Sequence, residues 1–412
     1  MDGHPGQDRR QQWIHVAFAA IWILALVFVL RHVQSQSGKH LGDWLIDYRQ
    51  GFVRRGLPGA VFTPLASAIG WPVWYLPVVL VMGLWAVFLV RLAQLLSPRE
   101  KPFWYLLLLM SPAGVAFGVY LIGDVSRKEL IHLALLAQFT WLLDRRQLSL
   151  AWCVVLAAFA AVAGLAHEIT VFYAAYFVVA AYWNGGGRPA LMAAWAICLA
   201  CAAAVLCVLY LAVPLDGAAY CRSLMLEQGA SARLCEGIVL WDVLTVSGSL
   251  AQTISVARDY GYPSLYAAAL LMTLGPVGLW MRRYATAQFL RTLVPIGIAV
   301  LASLPLFFIA FDWGRFIHVH VVSAALVLTL VLPRKAGQLA GQRFQAPPPL
   351  LSLRRPWVRR GLALATMASA LLWQMPLCCQ SWVDLGLLDK AGVKLGLWRR
   401  DVIYVDGIWQ KL

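Results

Sequence analysis

Gly42-Asp43-Trp44-Leu45-Ile46-Asp47-Tyr48-Arg49-Gln50-Gly51-Phe52-Val53-Arg54-Arg55-Gly56-Leu57-Pro58-Gly59 decides how the rest of the chain is read. It packs two carboxylates, three arginines and three aromatics into eighteen residues of a chain in which 13% of residues are charged. Asp43 and Asp47, four positions apart, share one face if the stretch is helical. Arg54 and Arg55 lie in a Gly-flanked turn that lets backbone approach a ligand closely. Carboxylates that move protons, beside guanidinium groups that hold phosphate, suit transfer of a group from a phosphate-linked donor. The same charges also suit a plain anchor at a membrane surface. On these residues alone both uses stay open.

The surroundings are apolar. Of 412 residues, 61% are hydrophobic, more than a soluble protein of this length can bury. Nineteen tryptophans suit two interfacial belts. The net charge of +15 is spread along the chain without a basic tail, an RNA-binding signature or zinc-ligand spacing, so nucleic acid is not the expected partner. Arg9 and Arg10 precede an apolar run from Trp13 to Leu30 that has no small-x-small cleavage site, which reads as an uncleaved first span. Apolar runs predict about eleven helices able, or nearly able, to cross a ~30 Å core. They cover 13–33, 73–95, 103–121, 127–143, 148–166, 169–183, 191–213, 263–281, 292–311, 315–332 and 361–378. Pro112 and Pro305 are expected to kink theirs. The expected fold is all-α: a polytopic transmembrane bundle over 1–378 with external loops 34–72 and 214–262, then an external tail over 379–412.

With the N-terminus in the cytoplasm, the inside segments hold 18 of the 34 basic residues and four of the 19 acids. Short loops such as Arg145-Arg146 and Arg282-Arg283 carry that orientation, together with the basic loop 333–360 and its Pro347-Pro348-Pro349 run. Every unusual polar cluster then faces outward, as an external active site requires.

Four further clusters belong to this set. Gly123-Asp124-Val125 leads into Ser126-Arg127-Lys128-Glu129, and the last four fit a capping box in which Ser126 and Glu129 satisfy each other's amides. Arg127 and Lys128 are left as an anion site or a head-group anchor. His167-Glu168 lies between two apolar runs with almost no loop, where ionisable groups are costly and functional by default. With Asp43 or Asp47, Glu168 offers oxygen ligands for a divalent cation such as Mg or Mn. Asp312 and Arg315 stand three apart, close enough to pair, and Arg315 can otherwise neutralise a phosphate or a glycan carboxylate. His318 and His320 are expected to pack or hydrogen-bond. Cys221 and Cys235, alone in the large loop, are expected to be bridged or close. Neither a Walker sequence nor a dinucleotide fingerprint is present, so a transferase donor has to come from the membrane.

A first span, an outward loop with acids at Asp43 and Asp47-Tyr48, the turn Gly51-Phe52-Val53-Arg54-Arg55-Gly56 and further outward cations together resemble the C superfamily of glycosyltransferases. With Arg127-Lys128-Glu129, His167-Glu168 and Asp312-Trp313-Gly314-Arg315, the set is also similar to membrane proteins of bacterial surface-polysaccharide loci, O-antigen-type polymerases among them. The resemblance implies an inverting transferase at the outer face of a bacterial inner membrane. Its donor would be a polyprenyl-phosphate-linked sugar and its acceptor a glycan or glycolipid. It implies Asp43 or Asp47 as proton acceptor. Asp47 adjoins Tyr48-Arg49 and lies nearer Arg54-Arg55 in sequence, which favours it as the base and leaves Asp43 as a supporting or metal-contacting acid, with His167 and Glu168 as further catalytic groups. Tyr48, Arg49, Arg54, Arg55, Arg127, Lys128, Asp312 and Arg315 would hold sugar and phosphate. The strict Asp-x-Asp of many such enzymes is absent, so a metal does not follow from the resemblance. A polymerase acting on lipid-diphosphate-linked repeats uses the same groups. A lipid-glycan flippase instead needs charges along the bundle midplane.

Overall fold

Apolar length sets the helices. The computed structural model describes residues 5–36, 39–99, 103–120, 125–185, 187–235, 246–281 and 287–332, with 357, 361, 364, 373–376, 384–385, 402–405 and 408–411 beyond them. Among these, four helices are long and apolar enough to cross a membrane: Ile14–Gln34, Tyr75–Leu96, Arg188–Leu211 and Trp313–Val331. Shorter apolar helices cover Leu57–Ile69, Leu150–Ala166, Thr170–Trp183 and Leu293–Ile309.

The chain divides into two compact units, Met1–Ser97 with Leu121–Thr245 and Pro98–Tyr120 with Val246–Leu412. The first unit contains α1 (Pro5–Gln34), α2 (Lys39–Asp43), α3 (Leu57–Ile69) and α4 (Tyr75–Leu96). Helix α3 is a correction, because Pro58, Gly59 and Pro64 place it in the expected loop 34–72. Pro58 sits in its first turn, where a proline costs no helical hydrogen bond. Helix α1 packs on α4, and the Trp22 indole donates to the Met82 carbonyl at 3.2 Å.

The second unit begins with α5 (Phe103–Leu109) and α6 (Phe117–Tyr120), where one helix over 103–121 is expected. The chain does more than kink at Pro112. The amide of Gly114 turns back to the Ser111 carbonyl at 2.7 Å and that of Val115 to Leu109 at 3.0 Å. A Cβ on Gly114 would run into the Leu109 carbonyl.

Back in the first unit come α7 (Glu129–Asp144), α8 (Leu150–Ala166), α9 (Thr170–Tyr173), α10 (Ala175–Trp183), α11 (Arg188–Leu211) and α12 (Gly217–Gln228). Helix α4 packs along α7, and α8 along α11. The second pair is close because its seam is small. A Cβ added to Gly164 would lie 2.9 Å from the Ala204 Cβ and 3.0 Å from the Cys201 carbonyl oxygen.

The second unit resumes with α13 (Val246–Asp259), α14 (Tyr262–Met281), α15 (Ala287–Ala302), α16 (Leu304–Ile309) and α17 (Trp313–Leu328). The expected helix 292–311 is split at Ser303, just before Pro305. His318 stacks on Phe117 at 4.4 Å and donates from Nδ1 to the Ala113 carbonyl at 2.9 Å, while His320 bonds Ser303 at 2.6 Å. Both histidines pack and hydrogen-bond, as their sequence suggests. In the expected helix 361–378, Trp373–Gln374 instead form β1, paired antiparallel with β2 (Asp384–Leu385). Pro376 disfavours helical backbone at the residue before it. Strands β3 (Val402–Val405) and β4 (Ile408–Lys411) form a hairpin in the tail. Gly123-Asp124, the basic loop 333–360 apart from 357, and the tail from 379 to 401 apart from 384–385 lie outside the described residues.

Candidate functional site

The 42–59 stretch is not one helix. Helix α2 ends at Asp43, and Trp44 inserts fully buried with its indole donating to the Ser126 carbonyl at 2.6 Å. Asp47 then captures its own neighbour: its Oδ1 accepts from the Arg49 amide at 3.0 Å and its Oδ2 from Arg49 Nε at 2.8 Å. This local turn competes with helix and wins, so Asp43 and Asp47 do not share a helical face. Thr63 on α3 also donates to Asp47, at 3.3 Å. Arg49 reaches on to pair with Glu227 of α12.

Glycine lets the loop close on itself. Gly51 has φ +105°, and a Cβ on Gly59 would strike the Leu45 and Ile46 carbonyls. Arg55 also has positive φ, +61°. An L-residue spends roughly 1–2 kcal/mol on that left-handed conformation, so the ion pairs of Arg55 have to hold it there.

Those pairs assemble the site. Arg54 and Arg55 converge on Glu168, which stands in the break between α8 and α9. Arg54 Nε donates to Glu168 Oε1 at 2.7 Å and Arg55 Nη2 donates to the same oxygen at 2.8 Å. Arg55 Nη1 lies 3.6 Å from Asp43 Oδ1, and Lys128 Nζ lies 3.2 Å from Asp43 Oδ2. The Lys128 ammonium also donates to the Asp43 carbonyl at 2.8 Å and lies 5.5 Å from the centre of the Trp44 ring. Below, His167 Nε2 and Glu129 Oε1 are 3.1 Å apart, both side chains buried. Arg127 is buried beside them in sequence.

The capping box does not form. Lys128 is the residue before α7 and makes no side-chain cap, the Ser126 hydroxyl is buried without a partner, and Glu129 turns to His167 instead. Nearness in sequence to Arg54-Arg55 favours Asp47 as the base, but among the described residues the acid that pairs with Arg55 and Lys128 is Asp43. The Asp47 side chain is 3% exposed and held by Arg49 and Thr63, whereas the Asp43 side chain is 21% exposed. Tyr48 stacks obliquely against Phe52 at 5.2 Å, and a Cβ on Gly56 would meet its ring. Asp312 and Arg315 belong to the second unit and pair with each other at 3.3 Å.

Burial pushes the Asp43 carboxyl up, but Lys128 and Arg55 more than offset this and bring it from 3.8 to about 2. For Glu168 too, burial acts upward and is outweighed by Arg54 and Arg55, which hold it well below the carboxylate range. Burial draws His167 below its ordinary value against the pull of Glu129. Because the folded value of Asp43 lies below the unfolded one, its stabilisation is complete above about pH 4 and is lost as pH falls toward 2. The loss is about 2 kcal/mol. Thermal melts in detergent across that range should show it, with Asp43→Asn flattening the slope. An unchanged slope in the variant contradicts the assignment.

A divalent cation does not fit here. The oxygens of Asp43 and Glu168 face Arg54, Arg55 and Lys128, whose charges would repel it. Among the described residues, no group of three His, Cys, Asp or Glu is arranged to hold a metal ion.

Sequence reasoning missed the clamp that holds the loop from outside. Val213 donates its amide to the Phe52 carbonyl at 2.8 Å, and Gln50 exchanges hydrogen bonds with the Asp216 backbone at 2.9 and 3.2 Å. Tyr220 on α12 donates to the Leu45 carbonyl at 2.5 Å. Its neighbour Cys221 is bridged to Cys235, with Cα atoms 5.6 Å apart, as the sequence leads one to expect. Opening so short a loop should cost about 3 kcal/mol. Cys221→Ser with Cys235→Ser should therefore melt earlier than the oxidised wild type, and reductant should have no further effect on it. Equal melting of the two proteins would remove the staple's role.

No curated protein and no solved structure matches the chain. Residues 13–238, which include every member of the cluster around Asp43 and Glu168, match the family model described as "Uncharacterised membrane protein Rv1490". That is more than half of the chain, and the protein is a membrane protein belonging to this family.

Proposed function

We propose that the protein is a membrane-embedded glycosyltransferase that takes a sugar from a polyprenyl-phosphate donor and passes it to a glycan or glycolipid acceptor in bacterial cell-surface assembly. In this reading the long helices, the shorter apolar helices and the remaining apolar runs of the sequence make a bundle of about eleven spans of the C-superfamily kind, in the inner membrane with the N-terminus inside. The site then faces the exterior.

One observation carries the proposal: a partly exposed carboxylate, Asp43, stands within ion-pair distance of both Arg55 and Lys128. The acceptor hydroxyl gives its proton to Asp43 as its oxygen bonds to the anomeric carbon. The bond from that carbon to the phosphate oxygen breaks on the opposite face, inverting the centre. The leaving polyprenyl phosphate takes the electron pair, and Arg54, Arg55 and Lys128 stabilise its charge. Donor phosphate drawing on Arg55 and Lys128 weakens their hold on Asp43, which raises its basicity when the donor is present. Glu168 and the buried His167-Glu129 pair position the arginines. Asp47 shapes the loop through Arg49.

The test supplies purified protein in lipid vesicles with a polyprenyl-phosphate sugar or with a lipid-diphosphate oligosaccharide, each with acceptor. Transfer from the first supports the proposal. Extension of the second, with the first ignored, replaces it with a repeat-unit polymerase.

A further inference from the structure

A second charged site lies at the far end of α7. Arg91 is on α4, five residues before that helix ends at Leu96, inside the apolar span Tyr75–Leu96. Its Nε donates to Gln138 Oε1 of α7 at 2.7 Å and its Nη1 to Gln94 Oε1 at 2.7 Å. Its guanidinium carbon lies 3.9 Å from the centre of the Trp141 ring. Two amides and an indole therefore fix the plane of the half-buried guanidinium.

No carboxylate among the described residues pairs with Arg91, in contrast to Arg49, Arg54, Arg55 and Arg315, each of which pairs with one. A cation in an apolar setting needs a counter-charge. The negative ends of α4 and α7 do not supply it, because that effect fades within the last turn and Arg91 lies deeper. Two donors are also left over in this cluster. Among the described residues, Arg91 Nη2 makes no hydrogen bond and the Trp141 indole N–H is buried without a partner.

We propose that Arg91, Gln94, Gln138 and Trp141 form a binding site for the phosphate of an anionic bilayer lipid. The head group provides the absent counter-charge and accepts from both spare donors, while the apolar flanks of the helices hold its acyl chains. From Lys128 to Trp141 along α7 is roughly 20 Å, so this site is separate from the cluster around Asp43. It does not depend on the transferase reading.

Native mass spectrometry tests it on the full chain released from vesicles of phosphatidylcholine and phosphatidylglycerol. The wild type should retain phosphatidylglycerol selectively, and excess inorganic phosphate should not displace it. Arg91→Gln should lower retention about tenfold, the scale of one charged hydrogen bond. Arg91→Lys keeps the charge but not the fork and should fall between the two. Trp141→Phe keeps the ring under the guanidinium and removes only the N–H, so it serves if Arg91→Gln fails to insert; it should lower retention about threefold. Equal retention of both lipids overturns the proposal, as does full retention by Arg91→Gln or by both Arg91→Lys and Trp141→Phe. Displacement by inorganic phosphate overturns the lipid as its source.

Discussion

Glu168→Ala should destabilise the protein by about 3–5 kcal/mol, the cost of removing one partner from a mostly buried ion pair. Arg54 and Arg55 both point their guanidinium groups at this carboxylate. Removing it leaves Arg55 partly buried, in a left-handed backbone conformation, without the carboxylate that its Nε and Nη2 both meet. Arg54 contributes little to the cost, because its side chain is 41% exposed and water can replace the lost partner. Chemical unfolding in detergent measures the effect. Replacing Arg55 and Glu168 together by leucine should recover part of the loss, since the partly buried Arg55 is then removed with its partner and only the exposed Arg54 is left to water. If Glu168→Ala unfolds at the same denaturant concentration as the wild type, the pairs contribute nothing to the fold.

Asp43→Asn should lower sugar transfer by about 10²–10⁴-fold, the usual contribution of a positioned base. Asparagine preserves the shape, and Lys128 keeps its hydrogen bond to the Asp43 main-chain carbonyl, so the loop should persist. The loss should therefore appear in kcat, with KM for the donor nearly unchanged. Asp47→Asn should do less to kcat and more to stability, because Asp47 is bonded to Arg49 and Thr63 within the loop. Rates of both variants with a polyprenyl-phosphate sugar separate the two roles. Wild-type turnover in Asp43→Asn excludes Asp43 as the base, and collapse only in Asp47→Asn gives that role to Asp47.

The members of the cluster were legible in the sequence because charge is conspicuous in an apolar chain. Asp43 with Arg54-Arg55, Lys128, and His167-Glu168 come from three separate stretches of the sequence, and the fold brings them together. Their pairing was not legible. A helical reading of Asp43 and Asp47 rests on spacing, whereas the backbone there answers to Asp47 bonding the Arg49 amide and Trp44 reaching Ser126. Ser126-Arg127-Lys128-Glu129 matches a capping box by composition, but a buried His167 draws Glu129 away from its own helix end. Helix α3 stayed hidden behind Pro58 and Pro64, and the break between α5 and α6 behind a continuous apolar run. In both places tertiary packing overrides local propensity.

The most direct measurement of where the donor docks is photolabelling with a polyprenyl-phosphate sugar that carries a photoreactive group beside its phosphate, in vesicles, followed by peptide mapping. The account predicts label concentrated in 42–59, 125–129 and 167–173, displaced by unlabelled donor and sharply reduced in Arg54→Ala with Arg55→Ala. Label spread along the apolar helices and indifferent to unlabelled donor, or displaceable label confined to peptides outside those segments, would contradict it.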